Sequence, residues 1–110
     1  MDHASMKYPT RLLAASAVAV VALLTPIAAA AADADAAQAL ARQNNCFKCH
    51  AVETKKVGPS WKEVAAKLKG DEEAQVKLIK HLTTGPNDHP VIKAKSPEDT
   101  KNLVDWILSL

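Results

Sequence analysis

Apolar and polar residues after residue 32 recur with the three- and four-residue spacing of helices. No stretch alternates with the period of two that is typical of a half-buried strand. The pattern predicts four helical segments, which cover residues 36–45, open at Ser60-Trp61, follow the acidic residues 71–73, and open at Ser96-Pro97. The sequence therefore predicts an all-α domain of about four helices.

The residue types at the predicted helix ends support this division. Ser60 and Glu63 have the spacing of a capping box, in which the hydroxyl accepts from the backbone N–H at 63 and the carboxylate reaches back. Pro97 directly after Ser96 suits the first position of the last helix. The third helix should end before Gly85-Pro86, with an apolar side of Ala74, Leu78 and Leu82 and with Val76 and Ile79 beside it.

Residues 1–32 have a different pattern. Lys7 and Arg11 precede an apolar run over 12–24, and Pro26 and a series of alanines follow it. A short basic region, a modest apolar region and small residues are the order of a secretory signal peptide. The alternative is a retained membrane anchor, but a span needs about 20 apolar residues and Pro26 interrupts the run. We predict that the segment is removed on export.

The point of cleavage stays open between Ala30 and Ala32, and Met6 is an alternative start that would make 1–5 an upstream extension. Cleavage after Ala32 leaves residues 33–110 as the mature domain, which is 78 residues long. A chain of that length seldom buries enough apolar surface to be stable alone, and usually adds a disulfide, a metal or a cofactor.

Composition and charge narrow the function further. The chain has 110 residues, of which 48% are hydrophobic and only 4% aromatic, and alanine supplies much of the apolar fraction. The 14 lysines and arginines against 12 aspartates and glutamates give a net charge of +2. Nucleic-acid binders usually concentrate basic charge on one face, so this balance argues against that class.

The sharpest signal is the sequence Cys46-Phe47-Lys48-Cys49-His50. Two thiols at this spacing can each add to a vinyl group on the edge of one haem, and the adjacent histidine then lies under the ring and binds the iron. Covalent attachment would make the haem a permanent part of a core that is otherwise small. The motif predicts one haem c, held through Cys46 and Cys49 with His50 as an iron ligand.

Three other interpretations of the cysteines compete with this one. A thioredoxin-like thiol pair would need a βαβ context, which the pattern lacks. A disulfide across so short a spacing would stabilise little, because the closed loop is tiny. A zinc site would have to add His81 and His89 to the two cysteines, and these histidines are spaced more widely than is usual.

The chain resembles class I c-type cytochromes, the small bacterial electron carriers with a single haem. The resemblance covers almost all of residues 33–110 and rests on the haem motif and on three further stretches: Lys56-Val57-Gly58-Pro59-Ser60-Trp61, Gly85-Pro86-Asn87-Asp88-His89-Pro90, and Leu103-Val104-Asp105-Trp106-Ile107. It implies a small cytochrome c fold in which the Pro59 carbonyl accepts a hydrogen bond from His50. It also implies that the first and last helices cross, with Leu40 near Val104 and Ile107.

One position departs from the family pattern. Members usually have Met-Pro before the final helix, and the methionine sulfur is the sixth iron ligand, whereas this chain has His89-Pro90 and no methionine after residue 32. We predict that His89 binds the iron opposite His50, which should lower the reduction potential relative to methionine ligation. The alternative is a solvated His89 with water or nothing at the sixth position. His81 is a second candidate ligand, and Lys93 and Lys95 are remoter ones.

Other residues near the motif have two interpretations each. Trp61 could place its indole N–H near a haem propionate, or it could be one more core residue. For both Trp61 and Trp106 a role in the core is favoured. Phe47 is expected to cover the haem edge. A group of lysines is expected to border the haem and either to steer an acidic partner or to be ordinary solvated charges: Lys48, Lys55, Lys56, Lys93 and Lys95.

These observations predict a monomeric, periplasmic carrier of single electrons between redox proteins. It would bind no nucleic acid or substrate and would not be an enzyme. The alternative is a haem-based ligand sensor or a peroxidase-like protein with an open or labile sixth position. The chain could equally be a domain of a larger reductase or oxidase.

Overall fold

The structure is a computed structural model that describes residues 14–22 and 31–110. The described residues form four α-helices: α1 (Ala34–Gln43), α2 (Trp61–Leu68), α3 (Ala74–Thr84) and α4 (Pro97–Leu108). Two 3₁₀ turns, Cys46–Lys48 and Pro86–Asp88, precede the two segments that contain His50 and His89. These residues contain no β-strand, and His50 and Lys55 form a single isolated bridge. The predicted all-α fold of about four helices is confirmed.

Helix α1 begins and ends two residues earlier than predicted. The Asp33 carboxylate accepts from the backbone N–H of Ala36 at 3.0 Å and so caps the helix. At the other end Asn44 is the C-cap, and Asn45 has a left-handed backbone with a φ of 56°. A left-handed residue ends the helical hydrogen-bond pattern, which explains why residue 45 lies outside α1.

Two serines begin the helices that follow the loops. Ser60 Oγ accepts from the Glu63 N–H at 3.1 Å, so this half of the predicted capping box forms, whereas the Glu63 carboxylate makes no return bond. Ser96 Oγ accepts from the Asp99 N–H at 3.3 Å, and Pro97 is the first residue of α4 as predicted. Both helix starts are therefore fixed locally.

Helix α4 lies at the centre of the domain and packs against α1, α2 and α3. Leu103 and Val104 are almost completely buried, and the facing residues Ala37 and Ala41 of α1 have no exposed surface. Small alanine side chains let the two helix backbones approach closely. The implied crossing of the first and last helices is present, with Leu40 and Ile107 in the same core cluster.

One residue on α3 differs from the prediction. Ala74 is buried, and Leu78 and Leu82 pack against the core from partly buried positions. Val76, which was predicted to lie beside them, is 64% exposed. With α4 covering only one side of α3, Val76 remains outside the contact.

The predicted signal segment lies largely outside the described residues, and these outside positions include Lys7, Arg11 and Ala30. The part that is described, residues 14–22, has no regular secondary structure, and Ala32 packs against the core. Within the described ranges, no helix combines the length and apolarity that crossing a bilayer requires. Removal of the segment stays a prediction.

Asp105 connects α3 to α4 through its carboxylate. It accepts from Gln75 Nε2 on α3 and from Lys101 Nζ, at 2.7 Å, on its own helix. Burial by itself would raise the pKa of Asp105, but the hydrogen bonds from Lys101 and Gln75 outweigh it, and the pKa is lowered. Ionised Asp105 therefore stabilises the folded state.

We expect Asp105→Asn to lower the free energy of unfolding at pH 7 by about 1 kcal/mol, since it weakens hydrogen bonds to a charged group. Because the folded pKa lies below the unfolded value of about 3.9, the stabilisation is complete above that pH and is lost as the pH falls through the folded pKa. Guanidinium titrations between pH 7 and about pH 2 should show a constant gap above the unfolded pKa and convergence of the two proteins below it. Glu72→Gln, which removes an exposed carboxylate, serves as control; a pH-independent gap between Asp105→Asn and wild type would contradict the assignment.

Candidate cofactor site

A cleft of about 290 Å³ lies between the segment after α1, the start of α2 and the loop before α4. Its walls are mostly apolar and include Leu82, Ile92, Leu103 and Ile107. Four side chains with ligand chemistry also line it: Cys46, Cys49, His50 and His89. The fold thus brings together every residue that the sequence predicted to attach a cofactor or bind its metal.

The two cysteines lie on one wall of the cleft. Cys46 begins a 3₁₀ turn, and its carbonyl accepts from the N–H groups of Cys49 at 3.2 Å and His50 at 3.0 Å. This tight turn brings all three side chains to the same cleft. Cys46 is half-buried and Cys49 is exposed.

The thiol chemistry argues against a thiol–disulfide enzyme. Burial raises the pKa of the Cys46 thiol, helped by the neighbouring Cys49, although a backbone hydrogen bond acts in the opposite direction. Redox-active cysteines instead have a lowered pKa that favours the thiolate. The described residues also lack the strands that a thioredoxin-like site needs.

His50 is held in one orientation by its surroundings. Its Nδ1 donates to the Pro59 carbonyl at 2.7 Å, which is the contact implied by the resemblance. The ring also stacks on Trp61, with 5.9 Å between ring centroids and 19° between planes. With the proton on Nδ1, the lone pair of Nε2 is available to a metal.

His89 faces His50 across the cleft. It follows the 3₁₀ turn Pro86–Asp88, and its Nδ1 lies 2.9 Å from the Pro90 carbonyl, so Nε2 is again the nitrogen left for a metal. The two ring centroids are 6.2 Å apart. A metal between two imidazole nitrogens, at roughly 2 Å from each, requires about this separation of the centroids. The donor set and its spacing fit an iron bound on both faces.

His81 lies beside His89 at the end of α3. The two rings meet edge to face with 4.7 Å between their centroids. Desolvation lowers the pKa of His81, and the charges of His89 and His50 lower it further. In the part of the chain that the structure describes, no three His, Cys, Asp or Glu side chains form a group able to hold a metal ion. A zinc site at His81 and His89 therefore has no support here.

Three aromatic residues pack together next to His50: Phe47, Trp61 and Trp106. Trp61 is 4% exposed and meets Trp106 edge to face at 5.3 Å, which supports its core role. Phe47 packs on Trp61 with ring centroids 5.0 Å apart and is not among the residues that line the cleft, and its covering of the haem edge stays a prediction.

Gly58 is a site residue that the sequence analysis named only as part of the stretch 56–61. A Cβ at this position would lie 2.5 Å from Cε1 and 2.9 Å from Nδ1 of His50. Only glycine leaves room for the ring next to this backbone. The only sequence signal for this role is the glycine directly before Pro59, and a Gly-Pro pair is also typical of an ordinary turn.

Comparison with known proteins gives the family. Residues 34–110 match the profile of a family described as Cytochrome c. The chain belongs to the cytochrome c family. With its two cysteines at the attachment spacing, the cytochrome binds one haem c covalently through Cys46 and Cys49.

Individual relatives support the same assignment. Cytochrome c-552 of Nitrosomonas europaea is 41% identical over 87 residues, which cover 74% of this chain and 81% of the relative. Cytochrome c-551 of Stutzerimonas stutzeri is 41% identical over 78 residues, 66% and 75% of the two chains. The crystal structure of the class 1 cytochrome MtoD from Sideroxydans lithotrophicus ES-1 matches with a TM-score of 0.63 and 52% identity, over 72% of this chain and 97% of that one.

We expect Gly58→Ala to displace the His50 ring. The added methyl group cannot be accommodated without movement, so the free energy of unfolding should fall by about 1–3 kcal/mol and the ferric EPR spectrum should change. Gly70→Ala is the contrasting variant, because it has a positive φ of 81° but no neighbour within 4 Å. That change should cost about 1 kcal/mol of backbone strain and leave the spectrum alone. An unaltered spectrum in Gly58→Ala would contradict the proposed role of Gly58.

Proposed function

We propose that this cytochrome is an exported carrier of single electrons whose haem iron is bound by His50 and His89. Transfer of single electrons through one haem is the chemistry of the small c-type cytochromes it is similar to. The finer statement, ligation by two histidines, depends on one observation: the two imidazoles line the same cleft with their centroids 6.2 Å apart. When bound, the haem supplies a ferric–ferrous couple.

Hydrogen bonds within the chain leave Nε2 of both histidines available to the iron. Each ring engages a carbonyl through Nδ1, Pro59 for His50 and Pro90 for His89, so both present Nε2. Hydrogen bonding at the remote nitrogen fixes the tautomer and makes the imidazole a stronger ligand. Two ligands of this kind favour the ferric state relative to a methionine ligand and so lower the reduction potential.

The proposed location is the periplasm. The segment 1–32 has the order of a secretory signal, and attachment of haem to a Cys-x-x-Cys-His motif accords with an exported product. The proposed partners are redox proteins that donate and accept electrons at the cleft.

Lysines near the cleft support attraction of an acidic partner. Lys48, Lys55 and Lys93 are exposed, and Lys56 is exposed with its Nζ donating to the Phe47 carbonyl at 2.7 Å. The three ion pairs among the described residues lie elsewhere and use Lys62, Lys77 and Lys101. The charges at the cleft therefore remain available to a partner.

Replacing His89 tests the ligation directly. Near-infrared and EPR spectra of the ferric protein should show two histidine ligands, and His89→Ala should become high-spin and bind carbon monoxide avidly when reduced. His89→Met should raise the reduction potential. The matched control, His81→Ala, should stay low-spin, because His81 contacts His89 without replacing it. A wild-type potential typical of His/Met cytochromes, or avid carbon monoxide binding by the wild type, would refute the proposal and favour a ligand sensor.

Steering by the lysines is tested with the anionic oxidant ferricyanide. Its rate of oxidising the reduced wild type should fall as ionic strength rises, because salt screens the local positive charge. Lys48→Glu with Lys55→Glu should flatten or reverse that dependence. Lys48 adjoins the lining residue Cys49, and Lys55 is two residues from the lining residue Val57. Lys67→Glu with Lys69→Glu makes the same change in net charge on exposed lysines at the far end of α2 from Trp61, the residue of that helix that lines the cleft, and should have a smaller effect. Equal effects of the two pairs would show that net charge alone acts.

A further inference from the structure

We propose that Asn44 is a positioning residue for the sixth iron ligand, because its side chain ties the loop that contains His89 to the segment that contains Cys46 and His50. This inference rests on the proposed ligation by His89. It adds the interaction that keeps the ligand facing the iron.

Asn44 forms a pair of hydrogen bonds with the backbone of a single residue. Its Oδ1 accepts from the Lys93 N–H at 2.8 Å, and its Nδ2 donates to the Lys93 carbonyl at 3.0 Å. The same Nδ2 donates to the Leu40 carbonyl at 3.0 Å, in the last turns of α1. The side chain thus uses both donors and its acceptor, so its orientation is fixed at the helix end.

The loop has few other attachments. Between His89 and the Ser96 cap, the described backbone makes only one other hydrogen bond to the rest of the domain, from the Ile92 N–H to the Leu82 carbonyl at 2.9 Å. That bond ties the loop to α3. The Asn44 pair alone, among the hydrogen bonds of the described residues, joins residues 85–95 to residues 44–50.

The two iron ligands therefore belong to segments that this pair connects. Asn44 lies two residues before Cys46, and Lys93 lies four residues after His89. If the loop moves so that His89 leaves the position opposite His50, it must bend between Pro90 and Ile92, or break both the Ile92–Leu82 hydrogen bond and the Asn44 pair. The proline ring fixes φ at Pro90 and so removes part of the freedom to bend. Loss of the pair should let His89 leave more often without removing a ligand.

The chain contains a closely matched control in Asn102. Its Oδ1 accepts from the Asp33 N–H at 2.8 Å, and its Nδ2 donates to the Asp33 carbonyl at 2.9 Å. This pair has the same chemistry and similar distances, and it joins the start of α1 to α4 without lining the cleft. Removing it should cost similar stability and leave the His89 loop unchanged.

The experiment compares Asn44→Ala with Asn102→Ala in the haem-containing ferric protein. The rate at which saturating cyanide displaces the sixth ligand reports how often His89 leaves. We expect this rate to rise about tenfold in Asn44→Ala, because the variant loses hydrogen bonds of ordinary net strength. In Asn102→Ala the rate should stay within about twofold of the wild-type rate. Both variants should lower the thermal midpoint by similar amounts.

Two further variants keep the test decisive. Asn44→Asp has nearly the same shape and keeps the acceptor for the Lys93 N–H but loses both donors. If Asn44→Ala does not fold, Asn44→Asp should still raise the rate of cyanide displacement, and Asn102→Asp is its control. In a His89→Ala background, Asn44→Ala should no longer accelerate cyanide binding, because the ligand it positions is gone.

The outcomes separate this inference from the proposed function. A low-spin wild type with equal cyanide rates in Asn44→Ala and Asn102→Ala would overturn the positioning role and leave His89 as the ligand. Acceleration that persists in the His89→Ala background would also overturn it, since Asn44 would then act through something else. A high-spin wild type would remove His89 as the ligand and the positioning role with it.

Discussion

The hydrogen bond from His50 Nδ1 to the Pro59 carbonyl organises the rest of the site. It links the residue at the end of the attachment motif to the residue just before the Ser60 cap of α2, so the position of the imidazole and the start of that helix are set together. Ser60 then caps α2, and Trp61, its first residue, stacks on the His50 ring. Local backbone chemistry and core packing therefore both hold the same ring.

A small core explains why so many features meet at this ring. Among the residues that the structure describes, the only side chains larger than serine that are under 2% exposed are Leu103 and Val104, and much of the close packing between α1 and α4 comes from alanines. Such a core buries little apolar surface for its length. The cleft adds Leu82, Ile92, Leu103 and Ile107 to the surfaces that an attached haem would cover. The cofactor is thus a structural partner of the helices as well as the redox centre.

The sequence predicted those parts of the structure that depend on local chemistry. Ser96 before Pro97 gave the start of α4, and the acidic residues 71–73 followed by Gly85 bounded α3, because caps and stops act within a few residues. The attachment motif was equally visible, since its spacing is itself the signal. Asn44 and Gly58 were not identified, because their roles depend on partners brought close by folding: Lys93 is 49 residues from Asn44, and the ring of His50 fills the space beside Gly58.

The same distinction between local and long-range chemistry applies to the two histidines. His50 belongs to a segment that is fixed by a 3₁₀ turn, by the Pro59 carbonyl and, in the cytochrome, by two covalent bonds to the haem. His89 has local hydrogen bonds to the Pro86 and Pro90 carbonyls, the edge of His81 and a loop that is secured at Ile92 and Lys93. The stability of the proposed sixth ligand therefore depends on contacts to α1 and α3 more than on its own segment. For this reason the residues that decide whether this cytochrome carries electrons or opens to an external ligand should lie at those helix ends, away from the iron.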